Sequence, residues 1–292
     1  MTPGAKLREL MKNGIVAAPF VIDGLQAILA QQAGRQAVYM TGFGAASTLG
    51  LPDVGLMTVD QMVNKLRAIT STSIIPVIAD ADTGYGNYIN VIQTVREYEN
   101  AGAAALHIED QVWPKRCGYM LNKQVIDKQE AVMKIKAAVD ARKDEGLVII
   151  ARTDALAVGG WHEVEDRIGA YMEAGADMGF VDGIKDLEDM REYAKRLSGV
   201  PTLLNNVPMM PMKEVEKFGD FKIMLNPFPM ASAWLAYRAA LKHDLISSRY
   251  LSWLPARLQS KKKPGKESGF NQIINALGAQ EYFEMDKKYG SK

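Results

Sequence analysis

Residues 74–110 read IIPVIADADTGYGNYINVIQTVREYENAGAAALHIED, and they hold one complete strand–helix–strand unit. Residues 75–82 are a short, nearly continuous apolar run, the pattern of a strand covered on both faces. A helical period follows over 88–101. Asn100-Ala-Gly-Ala103 then supplies the glycine that a left-handed helix cap prefers, and 105–110 form a second apolar run ending in two carboxylates. Outward from this unit the same alternation recurs. Strand candidates at 16–22 and 37–43 precede it, and others at 148–154, 178–182, 202–206 and 222–227 follow. Helical patterns lie at 24–32, 59–70, 128–143, 162–174, 186–197, 212–218 and 231–243, with a second glycine cap at Glu173-Ala-Gly-Ala176. Eight β-then-α units predict an α/β protein closed into a (β/α)8 TIM barrel over residues 1–245. Residues 246–292 break the pattern. They read as a helical tail that packs on a neighbouring subunit or on the barrel flank, with the Lys261–Lys263 run as a solvated linker face.

The totals exclude several classes. The 292 residues carry 35 Lys+Arg against 34 Asp+Glu, a net charge of +1, which gives no global electrostatic drive toward nucleic acid or an anionic membrane. With 48% hydrophobic residues a packed core is expected. The single cysteine, Cys117, precludes an intrachain disulfide and fits a reducing, cytoplasmic setting. No apolar run approaches the roughly 20 residues that span a bilayer.

Barrel enzymes place their chemistry at the C-terminal ends of the strands, so the residues at those ends are the candidate site. The second strand runs into Tyr39-Met-Thr-Gly-Phe-Gly-Ala45, whose glycines allow close backbone approach to an anion or form an ordinary turn. The third ends in Asp80-Ala-Asp82, two carboxylates that strand alternation sends to one side. Glu109 ends the fourth, and Asp53 follows the second. Acids converging on one rim repel each other unless protons or a cation intervene, and an all-oxygen donor set favours Mg²⁺ or Mn²⁺ over zinc. Arg152 ends the fifth strand, suited to grip a substrate carboxylate or to pair with the acidic rim. Asp182 ends the sixth and Asn205 the seventh. His107, inside the fourth strand, reads as a core histidine. The loop after the fourth strand, Asp110-Gln-Val-Trp-Pro-Lys-Arg-Cys-Gly-Tyr-Met-Leu-Asn122, holds the cysteine between Lys115-Arg116 and Gly118. Neighbouring cations stabilise a thiolate.

With these motifs assembled, Y39-M-T-G-F-G-A, L49-G-L-P-D53, D80-A-D-T-G-Y-G86, H107-I-E-D-Q111, K115-R-C-G118 and A151-R-T-D-A155, the chain resembles the isocitrate lyase/phosphoenolpyruvate mutase superfamily, nearest its methylisocitrate lyase-like branch. The resemblance implies a homotetramer, a dimer of dimers with the eighth helix exchanged between subunits, and a mobile Lys-Arg-Cys-Gly gate. It implies that Asp80, Asp82 and Glu109 hold Mg²⁺, with Asp53 nearby. Tyr39, Thr41, Gly42 and Gly44 would cradle the 2-oxyacid end, Arg152 and Asn205 would bind carboxylates, and Cys117 would donate a proton with Lys115 supporting the gate. Gly118, Tyr119 and Asp182 complete the substrate-binding set. Two departures bear on the substrate: Tyr119 replaces the histidine usual after Cys-Gly, and Asp182 stands where methylisocitrate lyases have glutamate. Trp113, Met120, Leu121 and Phe228 are expected to line a pocket for an alkyl-substituted malate. The implied activity is Mg²⁺-dependent carbon–carbon cleavage of a 2-hydroxy di- or tricarboxylate to pyruvate or another 2-oxoacid, through an enolate protonated by Cys117. The alternatives are phosphonomutase or phosphonate P–C chemistry, oxaloacetate hydrolysis or decarboxylation, and an inactive barrel serving as a binding module.

Overall fold

The computed structural model describes residues 1–118, 120–206, 209–242 and 275–289. Its strands are β1 (Val16–Val21), β2 (Val38–Met40), β3 (Val77–Asp80), β4 (Ala105–Glu109), β5 (Val148–Thr153), β6 (Met178–Val181), β7 (Thr202–Asn205) and β8 (Phe221–Asn226). They pair in parallel and in chain order, and β8 returns to β1, so the barrel closes. The helices in barrel order are α1 (Pro3–Lys12), α2 (Gly24–Gln32), α3 (Gly42–Thr48), α4 (Val59–Thr70), α5 (Tyr88–Asn100), α6 (Lys128–Ala141), α7 (Leu156–Glu173), α8 (Leu187–Arg196), α9 (Met212–Val215) and α10 (Phe228–Lys242). A further helix, α11 (Ala279–Tyr289), lies near the C-terminus. The chain divides into two compact units, Met1–Met230 and Ala231–Lys292. The expected boundary at 245 and the linker read at 260–268 lie outside the described residues. No helix among the described residues is long and apolar enough to cross a membrane.

Period-two alternation sorts each strand into an inner and an outer face. Register pairs Tyr39 with Ile78, Asp80 with His107, His107 with Ile150, and Glu109 with Arg152, so these side chains share the barrel interior. Ring contacts cross that interior from Phe20 to Tyr39 at 4.9 Å, Tyr39 to His107 at 5.8 Å and His107 to Phe180 at 5.4 Å between centroids. The outer face (Val38, Val77, Leu106, Ile149, Val181, Leu204) packs under the helices against Met62, Leu66, Val95, Ile135 and Ile168. Asp110, one residue past Glu109, therefore faces the helix layer. Its carboxylate accepts from Thr153 Oγ1 at 2.7 Å, Tyr171 Oη at 2.8 Å and the Asp154 N–H at 3.0 Å, and Arg167 pairs with it at 3.3 Å. This buried network ties the ends of β4 and β5 to α7.

Three elements depart from the sequence expectation. β2 stops at Met40 rather than running to 43, because the Thr41 side chain accepts the Gly44 N–H and caps α3. α1 was not anticipated; Thr2 caps it and proline occupies its first turn. α7 begins at Leu156 and runs across a kink at Gly160, whose φ is 70°. Both expected glycine caps are present. Gly102 and Gly175 adopt φ of 87° and 98°, and the following amides, Ala103 and Ala176, donate back to the Tyr98 and Tyr171 carbonyls at 3.0 and 3.1 Å. Gly175→Ala places a Cβ in the left-handed region and is expected to cost about 1 kcal/mol. Gly169→Ala, inside α7 with nothing within 4 Å of the added Cβ, is expected to add about 0.5–1 kcal/mol. Urea denaturation midpoints of the two variants should move in opposite directions.

Candidate active site

The C-terminal rim of the barrel collects buried charge. Asp53, Asp80, Asp82, Glu109, Asp154 and Asp182 are all buried there, as are Lys115, Lys123 and Arg152. β3 delivers Asp80, whose Oδ2 accepts the Gly42 N–H at 3.0 Å and the Tyr39 hydroxyl at 3.3 Å, while Oδ1 accepts the Asp82 N–H at 3.0 Å. A Cβ on Gly42 would fall 2.6 Å from Asp80 Oδ2, so only glycine permits that approach. Thr41 is spent as the α3 cap and the Gly42 amide on Asp80, so the expected oxyacid cradle already has protein partners. The Tyr39 hydroxyl also lies 2.8 Å from His107 Nε2. His107 is a buried core histidine, as expected, although its Nδ1 makes no hydrogen bond. Burial lowers its pKa to about 4, which leaves the ring neutral near pH 7.

Asp80 and Asp82 are brought together, but not by strand alternation. β3 ends at Asp80, and Asp82 turns at φ 46°, a conformation that short polar side chains tolerate. There Asp82 meets Lys115 Nζ at 2.9 Å, and the same ammonium donates to Asp53. Burial raises Asp82 to about 6 against the pull of Lys115, with Asp80 and Asp53 adding repulsion. Burial also opposes ionisation of Asp80, yet His107, then Lys115, Arg152 and the Asp82 amide, hold it well below the usual carboxylate range. Glu109 is pushed well upward, first by burial and then by Asp154 and Asp80.

Arg152 has its fork occupied. Nε and Nη2 reach Asp154 at 2.9 and 3.2 Å, Nε also lies 3.2 Å from Glu109, and Nη2 lies 3.4 Å from Asp182. The guanidinium stacks 5.2 Å from the Phe180 centroid. The pairing with the acidic rim, one of its two sequence readings, is present. Asn205 closes β7, half-buried.

The loop after β4 is closed at its base by a Gln111–Val125 bridge and docks on the rim. Its Cys117 amide donates to the Asp53 carbonyl at 3.0 Å, and the cysteine side chain is half-buried rather than sealed inside. Of the two flanking cations only Lys115 turns inward; Arg116 donates to the Leu121 carbonyl at 3.0 Å and stays exposed. Gly118 packs directly on Asp182, and Tyr119 lies outside the described residues. Among the described residues, Trp113 and Met120 line a cleft of about 690 Å³ with Val54 and Leu56, which Leu121 and Phe228 do not line.

Sequence reasoning missed Gln111, Asp154 and Lys123. Gln111 Nε2 donates to Glu109 Oε1 at 2.9 Å and to the Arg116 carbonyl at 2.8 Å, while its Oε1 accepts the Arg116 N–H at 2.9 Å. Gln111 and Asp154 fall within conspicuous motifs. Lys123 carries no local signal, since its acidic partners lie 31 and 59 residues away.

Among the described residues no group of three or more His, Cys, Asp or Glu side chains forms a ready cluster around a metal. The chemistry of the donors nonetheless fits a hard cation. Buried Asp82 Oδ1 and Glu109 Oε2 make ion pairs but no hydrogen bond, and their carboxyls are held up by burial and by repulsion from neighbouring carboxylates, Asp80 among them for both. Mg²⁺ needs few protein ligands because it keeps several waters.

The phosphoenolpyruvate phosphomutase family profile matches residues 7–245. The chain is 44% identical to 2,3-dimethylmalate lyase of Eubacterium barkeri over 304 aligned positions, covering 100% of this chain and 99% of that protein. It is 42% identical to 2-methylisocitrate lyase of Aeropyrum pernix, covering 99% and 92%. The crystal structure of phosphonopyruvate hydrolase in complex with oxalate and Mg²⁺ superposes with a TM-score of 0.83 at 28% identity, over 100% of both chains. With a closed eight-stranded barrel and these relatives over its full length, the chain belongs to the phosphoenolpyruvate mutase/isocitrate lyase superfamily.

Proposed function

We propose that this chain is a Mg²⁺-dependent carbon–carbon lyase that splits a 2-hydroxy di- or tricarboxylate of the alkylmalate or methylisocitrate type into a 2-oxoacid and a second acid. One observation carries the reading. The Lys-Arg-Cys-Gly loop is docked so that Lys115 neutralises Asp53 and Asp82 while Cys117 stays half-buried at the same rim. Lyase relatives at 44% and 42% identity favour it over phosphonate chemistry, whose relatives stand at 34% and 28%. Asp80, Asp82 and Glu109 would hold Mg²⁺ or Mn²⁺, which supplies Lewis-acid stabilisation of negative charge developing on substrate oxygen.

The chain's own residues do the rest. Cleavage passes the 2-hydroxyl proton to solvent and leaves an electron pair on the departing carbon. Cys117 breaks its S–H bond to form the new C–H bond there, and the resulting thiolate takes one proton back from solvent when the loop opens, so one proton is released and one regained per turnover. Arg152 and Asn205 orient substrate carboxylates, Arg152 by exchanging part of its grip on the rim acids for the ligand. Tyr39, Thr41, Gly42 and Gly44 shape the wall beside Asp80. Gly118 and Asp182 bound the site under the loop, which keeps bulk water from the carbanion.

We further assign residues 1–245 as the catalytic barrel of a cytoplasmic protein and 246–292 as a tail that packs on a neighbouring subunit of a homotetramer. Exposed Leu235, Tyr237 and Leu241 on α10 and Tyr282 and Phe283 on α11 support partner packing.

Purified protein with Mg²⁺ is expected to release a 2-oxoacid from a panel of 2,3-dimethylmalate, other alkylmalates, citramalate and methylisocitrate. EDTA should abolish turnover, and Mg²⁺ or Mn²⁺ should restore it. Silence across the panel would refute the reading. Cys117→Ser should lower kcat by about 10²–10⁴-fold, the usual worth of a general acid, while leaving the melting temperature and Mg²⁺-oxalate binding unchanged by calorimetry.

A further inference from the structure

Lys123 sits in a loop, where a lysine ordinarily keeps its ammonium in water. Here its side chain is only 2% exposed. Just before it Asn122 turns at φ 60°, and just after it Val125 pairs with Gln111, so the chain folds back beneath the loop that carries Cys117. Lys123 Nζ donates to Asp154 Oδ1 at 2.7 Å, to the Gly118 carbonyl at 2.8 Å and to Asp182 Oδ2 at 3.3 Å. An ammonium has three donors, and all three are used.

The three acceptors belong to separate pieces of the protein: the end of β5, the end of β6 and the residue beside the cysteine. A lysine present only to balance buried acid would need the two carboxylates, but not the Gly118 carbonyl. The backbone at Gly118 is pressed against the same rim. A Cβ added there would fall 2.0 Å from Asp182 Oδ2, so no side chain separates the loop from the carboxylate that Lys123 also holds. Lys115 and the Cys117 amide fix the other side of the loop, through Asp53 and Asp82. Lys123 thus supplies the second of two attachment points, one on each side of the thiol.

We infer that Lys123 is a positioning residue that latches the cysteine loop onto β5 and β6, setting the height of Cys117 over the site through the neighbouring Gly118 carbonyl. This rests on the reading of Cys117 as proton donor for its effect on turnover, but the latch itself is observable without activity.

The test compares wild type, Lys123→Met and Lys123→Arg as full-length protein with Mg²⁺ and oxalate, by hydrogen–deuterium exchange and by steady-state kinetics on whichever substrate the panel yields. In Lys123→Met, peptides within 111–124 should exchange at least about tenfold faster while α5 and α6 keep their protection, since a loop that opens locally loses only its own share. Its kcat should fall by about tenfold or more with a smaller change in KM. Lys123→Arg, which keeps a charged donor, should recover part of both. Wild-type loop protection in Lys123→Met overturns the inference. So does uniform loss of protection across the barrel with no recovery in Lys123→Arg, which marks a residue needed only for folding. If no substrate is turned over yet the loop exchange changes as described, the latch stands and the proposed reaction falls.

Discussion

Six buried carboxyl groups crowd the C-terminal rim of the barrel against three buried cations, and the site is shaped by how that repulsion is contained. Unit charges about 4 Å apart interact by about 4 kcal/mol at the effective dielectric near a protein surface, so such a rim cannot be left unmanaged. Arg152 is the one cation of the three that a barrel strand supplies. Lys115 and Lys123 arrive from the loop after β4, one on each side of Cys117, and reach different acids. Docking of the loop and neutralisation of the rim are therefore one event. A loop that swung away would take two of the three cations with it and leave the rim carboxylates to repel one another.

Behind this loop-borne charge stands the barrel scaffold. Asp110 is adjacent to Glu109 yet points the other way, into Thr153, Arg167 and Tyr171. One dipeptide thus serves both faces of the sheet: Glu109 faces the site, and Asp110 anchors the strand that presents it. Gln111 continues the relay by joining Glu109 to the Arg116 backbone. The rim acids are held from outside the barrel as well as from within, the arrangement a site needs if its geometry is to survive ligand exchange.

What was legible in the sequence follows from the range of the forces involved. The eight strands, the glycine caps at Gly102 and Gly175, and the gathering of Asp80, Glu109, Arg152 and Asp182 at one end are set by local periodicity and by strand ends, so the chain declares them. Asp82 was read into the right place for the wrong reason: a left-handed turn and a lysine 33 positions downstream put it there, not strand alternation. Arg152 could be read two ways because its charge was visible but its partners were not. The helix after Thr41 was hidden by a glycine pair that reads equally well as a turn. Lys123 was illegible because nothing around it in sequence distinguishes it from a solvated loop lysine; its burial is decided by strand ends that only the closed barrel brings near. Trp113, Met120, Leu121 and Phe228 likewise look alike by hydropathy, while only Trp113 and Met120 line one cleft among the described residues.

The negative bias of the rim also acts as a filter on traffic. A dicarboxylate approaching unaided meets a field of its own sign in a partly desolvated mouth. Under the proposed roles it becomes welcome only once a divalent ion has reversed that field, so loading is ordered, ion before acid. A protein working in this way would not sequester diacids while idle, and its appetite for substrate would follow the supply of a metal rather than the supply of the acid itself.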